Sequence, residues 1–328
     1  DAQESRGLGD VYKRQDLERQ NTSDIRLLET VTFNLHAARL LYKNLRVTKM
    51  SATTSNGRVK FFCNICNHPN DALISSLTRE EATCSGCGST VRMRAMVQIL
   101  TAELFGKSMR IDEISPPRPD IVGIGMSCWE VYANRLAHKV KYVNTYYHQE
   151  PFLDITDIDE KMVNTLDFIV STDVFEHVAP PISTAFANAR RLLKENGVFI
   201  ISVPFDRPDE PKAETKEWFP NPYDWKIEEV EGRWLLYNTT RDGNHEQFDD
   251  LCFHGGPGTT LEMRLFSKAS LIHELVAAGF NDITLYSEPH LDLGIQWPGG
   301  CSLPIAARVK PQKSSFLKWK KPVVIRTA

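Results

Sequence analysis

The sequence predicts an α/β fold built on a mostly parallel sheet, with a small four-cysteine module in front of it. A buried strand, a helix and a second buried strand follow one another between Asp167 and Phe205. A short strand that starts at Asp120 leads into a glycine turn, and two Cys-x2-Cys pairs precede it. Strand, helix and strand in close succession form one crossover between parallel strands, which is the building unit of such a sheet.

Composition limits the class of protein. The 328 residues suffice for one large core with an appended module, and the net charge of −3 gives no overall attraction to nucleic acid. The apolar runs are too short for a membrane span, and the N-terminus has no apolar stretch of the signal-peptide kind. Four of the seven cysteines form the two pairs, which favours metal in a reducing compartment over disulfides. The expected location is therefore the cytoplasm.

The N-terminal region divides into two parts. Residues 1–15 look like translated sequencing adapter, and we interpret them as a non-native or disordered segment. Residues 16–58 contain an apolar stripe with helical spacing from Asp24 to about Val47, followed by a polar linker. The helix is expected to pack on the main domain; the alternative is a lid or a dimer contact, which leaves a homodimer open.

Residues 59–108 contain the cysteine pairs and a helix. Cys63 and Cys66 form the first pair, and Cys84 and Cys87 follow after seventeen residues. Each Cys-x2-Cys turn brings two thiolates to one ion, and two such turns complete a tetrahedral site. The spacing lies within the range of structural zinc sites, so we expect Zn²⁺ in a structural role.

The helix predicted from Thr90 to Phe105 carries Arg92 and Arg94 in its first turn. They would either bind a phosphate or carboxylate near the cysteine module or point into solvent, and the second arrangement is the more common one. The proline-rich segment 115–119 then breaks the chain, and residues 109–310 are assigned to the α/β domain.

The glycine turn contains Gly123, Gly125 and Ser127. Glycines there allow the backbone to approach a ligand, and the N-terminus of the following helix favours an anionic group. A dinucleotide fingerprint would have a third glycine where this chain has Cys128, which argues against NAD and FAD.

The central unit follows a second strand predicted from Lys141 to Tyr147. It consists of a strand from Asp167 to Ser171, a helix, and a strand from Val198 to Val203, with Gly197 expected to cap the helix. An acidic loop, residues 173–177, lies at the carboxyl end of the first strand, the end at which open α/β sheets bind ligands.

An insertion at about residues 206–260 interrupts the alternation of strands and helices. It holds half of the six tryptophans, and Arg233–Thr240 and Glu246–Phe253 suggest a hairpin around an Asp-Gly turn. Two interpretations stay open: a cap that faces a substrate, or an insertion with its own small core.

The chain closes with a helix from Ser267 to Ala278, capped by Gly279, and two strands, Asn281–Tyr286 and Leu303–Val309. Residues 311–328 are basic, and we interpret them as a solvated tail.

From Asp120 to about Lys310 the chain resembles class I S-adenosylmethionine-dependent methyltransferases of the type 11/12 kind. The resemblance is carried by GIGMS, by DFIVSTDVFEHV with ARRLLKENGVFIISVP, and by RLFSKASLIHELVAAGFNDITLY. It implies a Rossmann-like, mostly parallel sheet with a final antiparallel strand, and S-adenosyl-L-methionine as the cofactor. The four-cysteine segment resembles zinc ribbons attached to some of these enzymes.

The resemblance also implies cofactor contacts. Gly123, Gly125 and Ser127 would approach the methionyl part and the ribose, and Thr172 and Asp173 would line the methionyl side. Asp154 and Ile155, at the end of a third strand, would flank the adenine. The family's acidic residue at the end of the second strand is missing, and Asn144 is the expected substitute for binding the ribose hydroxyls.

Methyl transfer to oxygen or carbon also requires a proton acceptor, and histidine is the usual one near neutral pH. His177 beside the cofactor and His254 in the insertion are the candidates, with Glu176 and Asp173 as carboxylate alternatives.

Three functions remain. The first is methyl transfer to a small-molecule or carbohydrate-like acceptor, which the acidic pI and the aromatic insertion favour over nucleic acid. The second is methylation of RNA or protein presented by the zinc module, which predicts a basic surface joining Arg92, Arg94 and the cleft. The third is a non-catalytic scaffold with a methyltransferase-like fold.

Overall fold

The computed structural model of the chain describes residues 57–205, 214–256, 258–300, 302–310 and 323–328. The segment 1–15, the helix expected from Asp24 to Val47 and residues 311–322 lie outside these ranges. Within them, every helix is too short or too polar to cross a bilayer.

The helices and strands alternate as predicted in the main domain. The helices are α1 (Val91–Phe105), α2 (Glu130–Ala137), α3 (Ile182–Leu192) and α4 (Lys268–Ala277). The strands before the insertion are β1 (Arg58–Phe62), β2 (Pro69–Leu73), β3 (Arg118–Met126), β4 (Val140–Thr145), β5 (Leu166–Thr172) and β6 (Leu193–Ser202). Those that follow are β7 (Lys216–Glu217), β8 (Asp224–Val230), β9 (Arg233–Thr239), β10 (His245–Phe248), β11 (Phe253–His254), β12 (Thr260–Leu261), β13 (Arg264–Leu265), β14 (Asp282–Leu285), β15 (Ile305–Arg308) and β16 (Val324–Thr327).

The main sheet has seven strands in the order β16-β14-β15-β6-β5-β3-β4. β3 is parallel to both β4 and β5, and β5 is parallel to β6, so the predicted crossover through α3 is confirmed. β15 is antiparallel to β6 and to β14, which confirms the mostly parallel sheet with a late antiparallel strand.

Successive residues of the central strands point to opposite faces of the sheet. Both faces are covered, so both sets of side chains are buried. In β6, Phe199 and Ile201 pack in the cluster beneath α3 and α4. Val198 and Ile200 pack on the other face, in a cluster that includes Ile99 of α1 and reaches the cysteine module. The proline-rich segment 115–119 is therefore not a boundary between independent units, because the helix before it covers the sheet.

Three expectations about local structure are wrong. Gly197 does not cap α3, because β6 begins directly after Leu192 and contains Gly197, where a Cβ would come within 3.0 Å of the Lys194 carbonyl oxygen. No strand ends at Asp154 in the described chain; only a bridge between Tyr146 and Phe152 is present. The end of the basic tail is not simply solvated, because β16 pairs in parallel with β14 at the sheet edge.

The hairpin predicted in the insertion is confirmed by the antiparallel pairing of β9 with β10, and β8 adds a third strand that the sequence did not indicate. The insertion has its own apolar cluster, which includes Phe219, Leu236 and Met263.

The two glycines of the turn after Asp120 serve the packing of β3. A Cβ at Gly123 would overlap the ring of Phe168, and one at Gly125 would overlap the hydroxyl of Tyr142. Since both rings belong to the buried cluster of this sheet face, we attribute the glycines to the core.

Substituting Gly123 by Ala is expected to lower the free energy of unfolding by about 1–3 kcal/mol, because the added methyl group must displace a fully buried ring. Urea denaturation measures this change. Unchanged stability together with weaker cofactor binding would contradict the packing role and favour the role expected from the sequence.

Candidate functional site

A cavity of about 630 Å³ opens at the carboxyl ends of the central strands. This volume lies in the range of small-molecule sites, roughly 300–1,000 Å³. The residues expected from the sequence that line it are Ser127, Asp154, Ile155, Asp173, His177 and His254. These six residues therefore share one cavity at this edge of the sheet, whereas several other expected residues have contacts elsewhere.

Ser127 and Asp173 follow β3 and β5, and both have left-handed backbones, with φ of 50° and 55°. Such conformations are uncommon for residues other than glycine and concentrate at functional sites. The Ser127 amide donates to the Thr145 carbonyl and the Asp173 amide to the Ser202 carbonyl, at 2.8 Å each. These bonds fix the two turns at the rim of the cavity.

Asn144 does not line the cavity, and its side chain forms hydrogen bonds with neighbouring residues instead. Its side-chain amide accepts a hydrogen bond from the Cys128 amide and donates to the Cys128 carbonyl, and its Nδ2 also donates to the Tyr146 hydroxyl. Asn144 thus holds the turn after β3 in place. The residues of this segment that line the cavity are Thr145, Tyr146, Tyr147 and His148.

Asp154 and Ile155 reach the cavity from a turn. One carboxylate oxygen of Asp154 accepts from the Thr156 amide and hydroxyl at 2.8 and 2.7 Å. Nδ2 of Asn188 on α3 donates to the Ile155 carbonyl at 2.9 Å. This bond to a buried helix positions the turn where a strand was expected.

The cysteine module supplies two arginines to the cavity wall. Arg79 bonds Asp173 through both terminal nitrogens, at 2.5 and 3.2 Å, and also Ser202. Arg92 forms two 2.8 Å bonds with Glu80 and donates to the Thr172 hydroxyl, and its Nε lies 3.3 Å from Asp173. The two cations and two anions compensate each other, and they join the module to the end of β5.

Arg94 is fully buried, so the expectation that these arginines point into solvent is wrong. All of its hydrogen bonds go to neutral oxygens, which belong to Thr83, Ser89, Leu293 and Gly294. With Arg94 buried and Arg92 paired to Glu80, the basic surface predicted for an RNA or protein substrate does not form from these residues.

The structure brings the two candidate histidines together, although 77 residues separate them. His254 Nδ1 lies 3.1 Å from His177 Nε2. His177 Nδ1 lies 2.8 Å from the Leu261 carbonyl oxygen, and His254 Nε2 lies 3.1 Å from the carboxylate of Glu262. Trp218 donates its indole N–H to the other oxygen of Glu262. Burial lowers the pKa of His177, with the neighbouring His254 acting in the same direction.

Glu176 is completely buried beside this pair, with its Oε1 3.8 Å from His177 Nε2. Neither of its oxygens has a hydrogen-bond partner among the described residues. Burial, reinforced by the charge of Asp173, raises the pKa of Glu176 well above its usual value. A carboxyl group in this environment is held in its neutral form.

The insertion forms one wall of the cavity through Trp225, Ile227, Thr260 and Leu261, together with His254. It also has its own core, so both interpretations of the aromatic insertion describe part of its structure.

The four cysteines of the module have free thiols and converge as predicted. Their sulfurs lie within 4.8 Å of one another, with Cys63–Cys87 at 3.7 Å and Cys66–Cys84 at 3.6 Å. Tetrahedral zinc with Zn–S bonds of about 2.3 Å separates its sulfurs by about 3.8 Å. The sulfur positions therefore fit one zinc ion.

The two cysteine turns have the same backbone. In each, the residue four positions after the first cysteine has a left-handed φ and donates its amide to that cysteine's carbonyl at 2.8 Å; these residues are Asn67 and Gly88. Burial raises the pKa of the Cys84 thiol, but hydrogen bonds with the backbone amides of Cys87 and Gly86 and with the side chains of Cys66 and Cys87 together lower the value to about 6. Amides directed at sulfur are typical of zinc sites.

Sequence reasoning missed Arg79, Glu80 and Glu262. Arg79 and Glu80 lie in the loop between the cysteine pairs, and Glu262 follows the short strand β12. Their roles arise from contacts between distant segments, which no local spacing in the sequence signals.

The chain matches a family model described as a methyltransferase domain over residues 104–285, which is more than half of its length. A search of curated proteins finds no match.

Solved structures similar to this chain include methyltransferases at low identity. A 1,6-didemethyltoxoflavin-N1-methyltransferase from Burkholderia thailandensis is 17% identical over 67% of this chain and 78% of its own, with a TM-score of 0.37. A sugar N-methyltransferase from Streptoalloteichus is 14% identical over 69% and 90%, with a TM-score of 0.36. An S-adenosylmethionine-dependent methyltransferase from Clostridium acetobutylicum is 14% identical over 59% and 87%, with a TM-score of 0.35.

We predict one equivalent of zinc in the purified protein and less than half an equivalent after Cys84→Ser, because three thiolates leave the tetrahedral site incomplete. Elemental analysis of folded samples measures this. Cys252→Ser, which removes an exposed thiol outside the cluster, is the control and should retain the metal. Full zinc occupancy in Cys84→Ser would contradict the assignment.

Proposed function

The chain belongs to the family of methyltransferase domains, and we propose that it transfers a methyl group from S-adenosylmethionine to a small-molecule or carbohydrate-like acceptor bound in the cavity described above. Membership makes it an S-adenosylmethionine-dependent enzyme, so the non-catalytic scaffold is not retained. The acceptor and the roles of individual residues are part of the proposal.

One observation supports the proposal most strongly: a single cavity is lined by the histidine pair, by residues of the aromatic insertion, and by four of the expected cofactor residues, Ser127, Asp154, Ile155 and Asp173. S-adenosylmethionine supplies a methyl group on a sulfonium, which an acceptor displaces in line. Methyl transfer depends on alignment of the two reactants and on exclusion of water, and a cavity between the sheet and the insertion is a place where two reactants can be aligned.

We assign the cofactor to the side of the cavity formed by Ser127, Asp154, Ile155 and Asp173. In place of Asn144, we propose Tyr146 for the ribose hydroxyls. Tyr146 lines the cavity and accepts a hydrogen bond from Asn144, which leaves its own hydroxyl proton available for a ligand.

We assign the acceptor to the part of the cavity that the insertion lines with Trp225 and Ile227, and that includes the histidine pair. An aromatic ring and an aliphatic side chain suit the apolar face of a sugar or another small ring. The buried Arg94 and the paired Arg92 weigh against RNA. His177 and His254 are the groups we propose for removing the acceptor's proton, and the neutral Glu176 is not one of them.

We propose that zinc has a structural role which extends to the cavity. A zinc ion with four thiolates carries a net charge of −2, and this charge complements the buried guanidinium of Arg94, which has no carboxylate among its bonded partners. By holding the module, zinc would also hold Arg79 and Arg92 against Asp173.

Wild-type protein should bind S-adenosylmethionine, and Asp173→Asn should weaken that binding at least tenfold, about 1.4 kcal/mol. The substitution leaves Arg79 and Arg92 with only Glu80 to compensate them, so the cavity wall gains positive charge against a cationic cofactor. S-adenosylhomocysteine lacks the sulfonium charge and should lose less affinity. Titration calorimetry measures both ligands.

Asp71→Asn provides the matched control, because it makes the same change of charge in the module at an exposed pair with Arg58. It should bind both ligands as wild type does. A wild-type protein that fails to bind at millimolar cofactor would refute the proposed function, whereas equal losses for both ligands would refute only the charge explanation.

A further inference from the structure

Glu262 and the two histidines form one series of polar contacts at the cavity, two of them hydrogen bonds and the third an ion-pair contact. The series runs from the Leu261 carbonyl through His177 and His254 to Glu262, with separations of 2.8, 3.1 and 3.1 Å. Trp218 anchors its far end with a 3.0 Å bond to Glu262. Both histidines line the cavity, whereas Glu262 is 9% exposed and reaches it only through His254.

The number of protons in this series follows from its geometry. A carbonyl oxygen only accepts, so His177 Nδ1 must carry a proton, and a neutral His177 then has a lone pair on Nε2. To bond that lone pair, His254 Nδ1 must carry a proton as well. Its Nε2 faces a carboxylate oxygen, which requires a further proton between them. For all three contacts to be attractive, one proton more is needed than two neutral histidines and a carboxylate provide.

Removing that extra proton creates a base in a defined place. His254 Nε2 lies 3.1 Å from the carboxylate of Glu262, and a carboxylate neighbour favours the tautomer that keeps the proton on Nε2. His254 Nδ1 and His177 Nε2 then carry two lone pairs that face each other across 3.1 Å. A proton accepted there restores the hydrogen bond between the two rings, so this position is where the acceptor's proton would go.

We propose that Glu262 is a positioning residue: it fixes His254 in the tautomer that directs Nδ1 at His177, and the three residues share one exchangeable proton whose departure prepares the site for the acceptor. This rests on the proposed function. In the reaction, the acceptor's X–H proton moves to the nitrogen pair as X bonds the methyl carbon, and the C–S electron pair goes to sulfur. The pair then releases the proton to solvent before the next turnover.

Other titratable and charged groups surround the two histidines. Those that face the two histidines are Asp173, Glu176, Cys252 and Arg264. Glu176 is buried without a partner, and its neutral form adds no charge to the count. A divalent cation held by Glu176, His177 and His254 would also satisfy the facing lone pairs. Adding Zn²⁺ or Mn²⁺ and then a chelator in the experiment below distinguishes a bound cation from a shared proton.

Nuclear magnetic resonance of the histidine ring nitrogens tests the proposal without an identified acceptor. Protein labelled with nitrogen-15 histidine is titrated from roughly pH 5 to 9, free and with S-adenosylhomocysteine. His177→Gln and His254→Gln assign the signals. We expect one coupled titration step at both rings, with His177 protonated on Nδ1 throughout and His254 on Nε2 above the step.

Glu262→Gln should move this step to lower pH, because the loss of a negative charge disfavours the imidazolium, and Glu262→Asp should restore much of the shift. Glu228→Gln, an exposed substitution in the same insertion, should leave the step unchanged. Independent titration of the two rings, or an unchanged step in Glu262→Gln, would overturn the proposal. So would ring-nitrogen shifts produced by Zn²⁺ or Mn²⁺ and reversed by a chelator.

Cofactor binding is measured separately by calorimetry on the same samples. The ring-nitrogen titration of the free protein is informative even if S-adenosylhomocysteine does not bind. A failure of the proposed function and a failure of the role of Glu262 therefore give different results.

Discussion

The ionic contact between Asp173 and the two arginines of the cysteine module determines how the active cavity is built. Asp173 follows the central strand β5 in a left-handed conformation, and Arg79 and Arg92 bind it from a segment some eighty to ninety residues earlier. The side chains of all three residues are about one-fifth exposed, so the charges are partly desolvated and loss of either partner leaves the other uncompensated. The position of the module and the charge of the cavity wall thus depend on the same contact.

With a zinc ion in the cysteine module, as we propose, this arrangement would connect the metal to the cavity without giving it a catalytic role. Four thiolates around zinc would fix two equivalent turns, and α1 continues from the second turn onto the face of the sheet. Arg94 joins these layers through the carbonyls of Ser89, Leu293 and Gly294. In our account the metal stabilises the module, and the module positions Arg79 and Arg92. These arginines set the charge of the cavity wall beside the cofactor.

Sequence patterns predicted the features that depend on the spacing of nearby residues or on periodic hydrophobicity. The two Cys-x2-Cys turns, the crossover through α3 and the strand ends at Ser127 and Asp173 were all visible in spacing and hydrophobicity. The sequence could not show that the Asn144 amide bonds the backbone of Cys128. Nor could it show that Phe168 and Tyr142 pack against Gly123 and Gly125. The contacts of His254 with His177 and with Glu262 form only when the insertion folds back over the sheet.

A crystal structure of the protein with S-adenosylhomocysteine tests the central claim most directly, namely that the sheet, the cysteine module and the insertion enclose one methyl-transfer cavity. We predict the homocysteine part beside Ser127 and Asp173, the adenine beside Asp154 and Ile155, and the sulfur directed towards His177 and His254. We also predict that Arg79 and Arg92 remain within bonding distance of Asp173. Binding of S-adenosylhomocysteine outside this cavity, or a cysteine module displaced from Asp173 in the complex, would contradict the account.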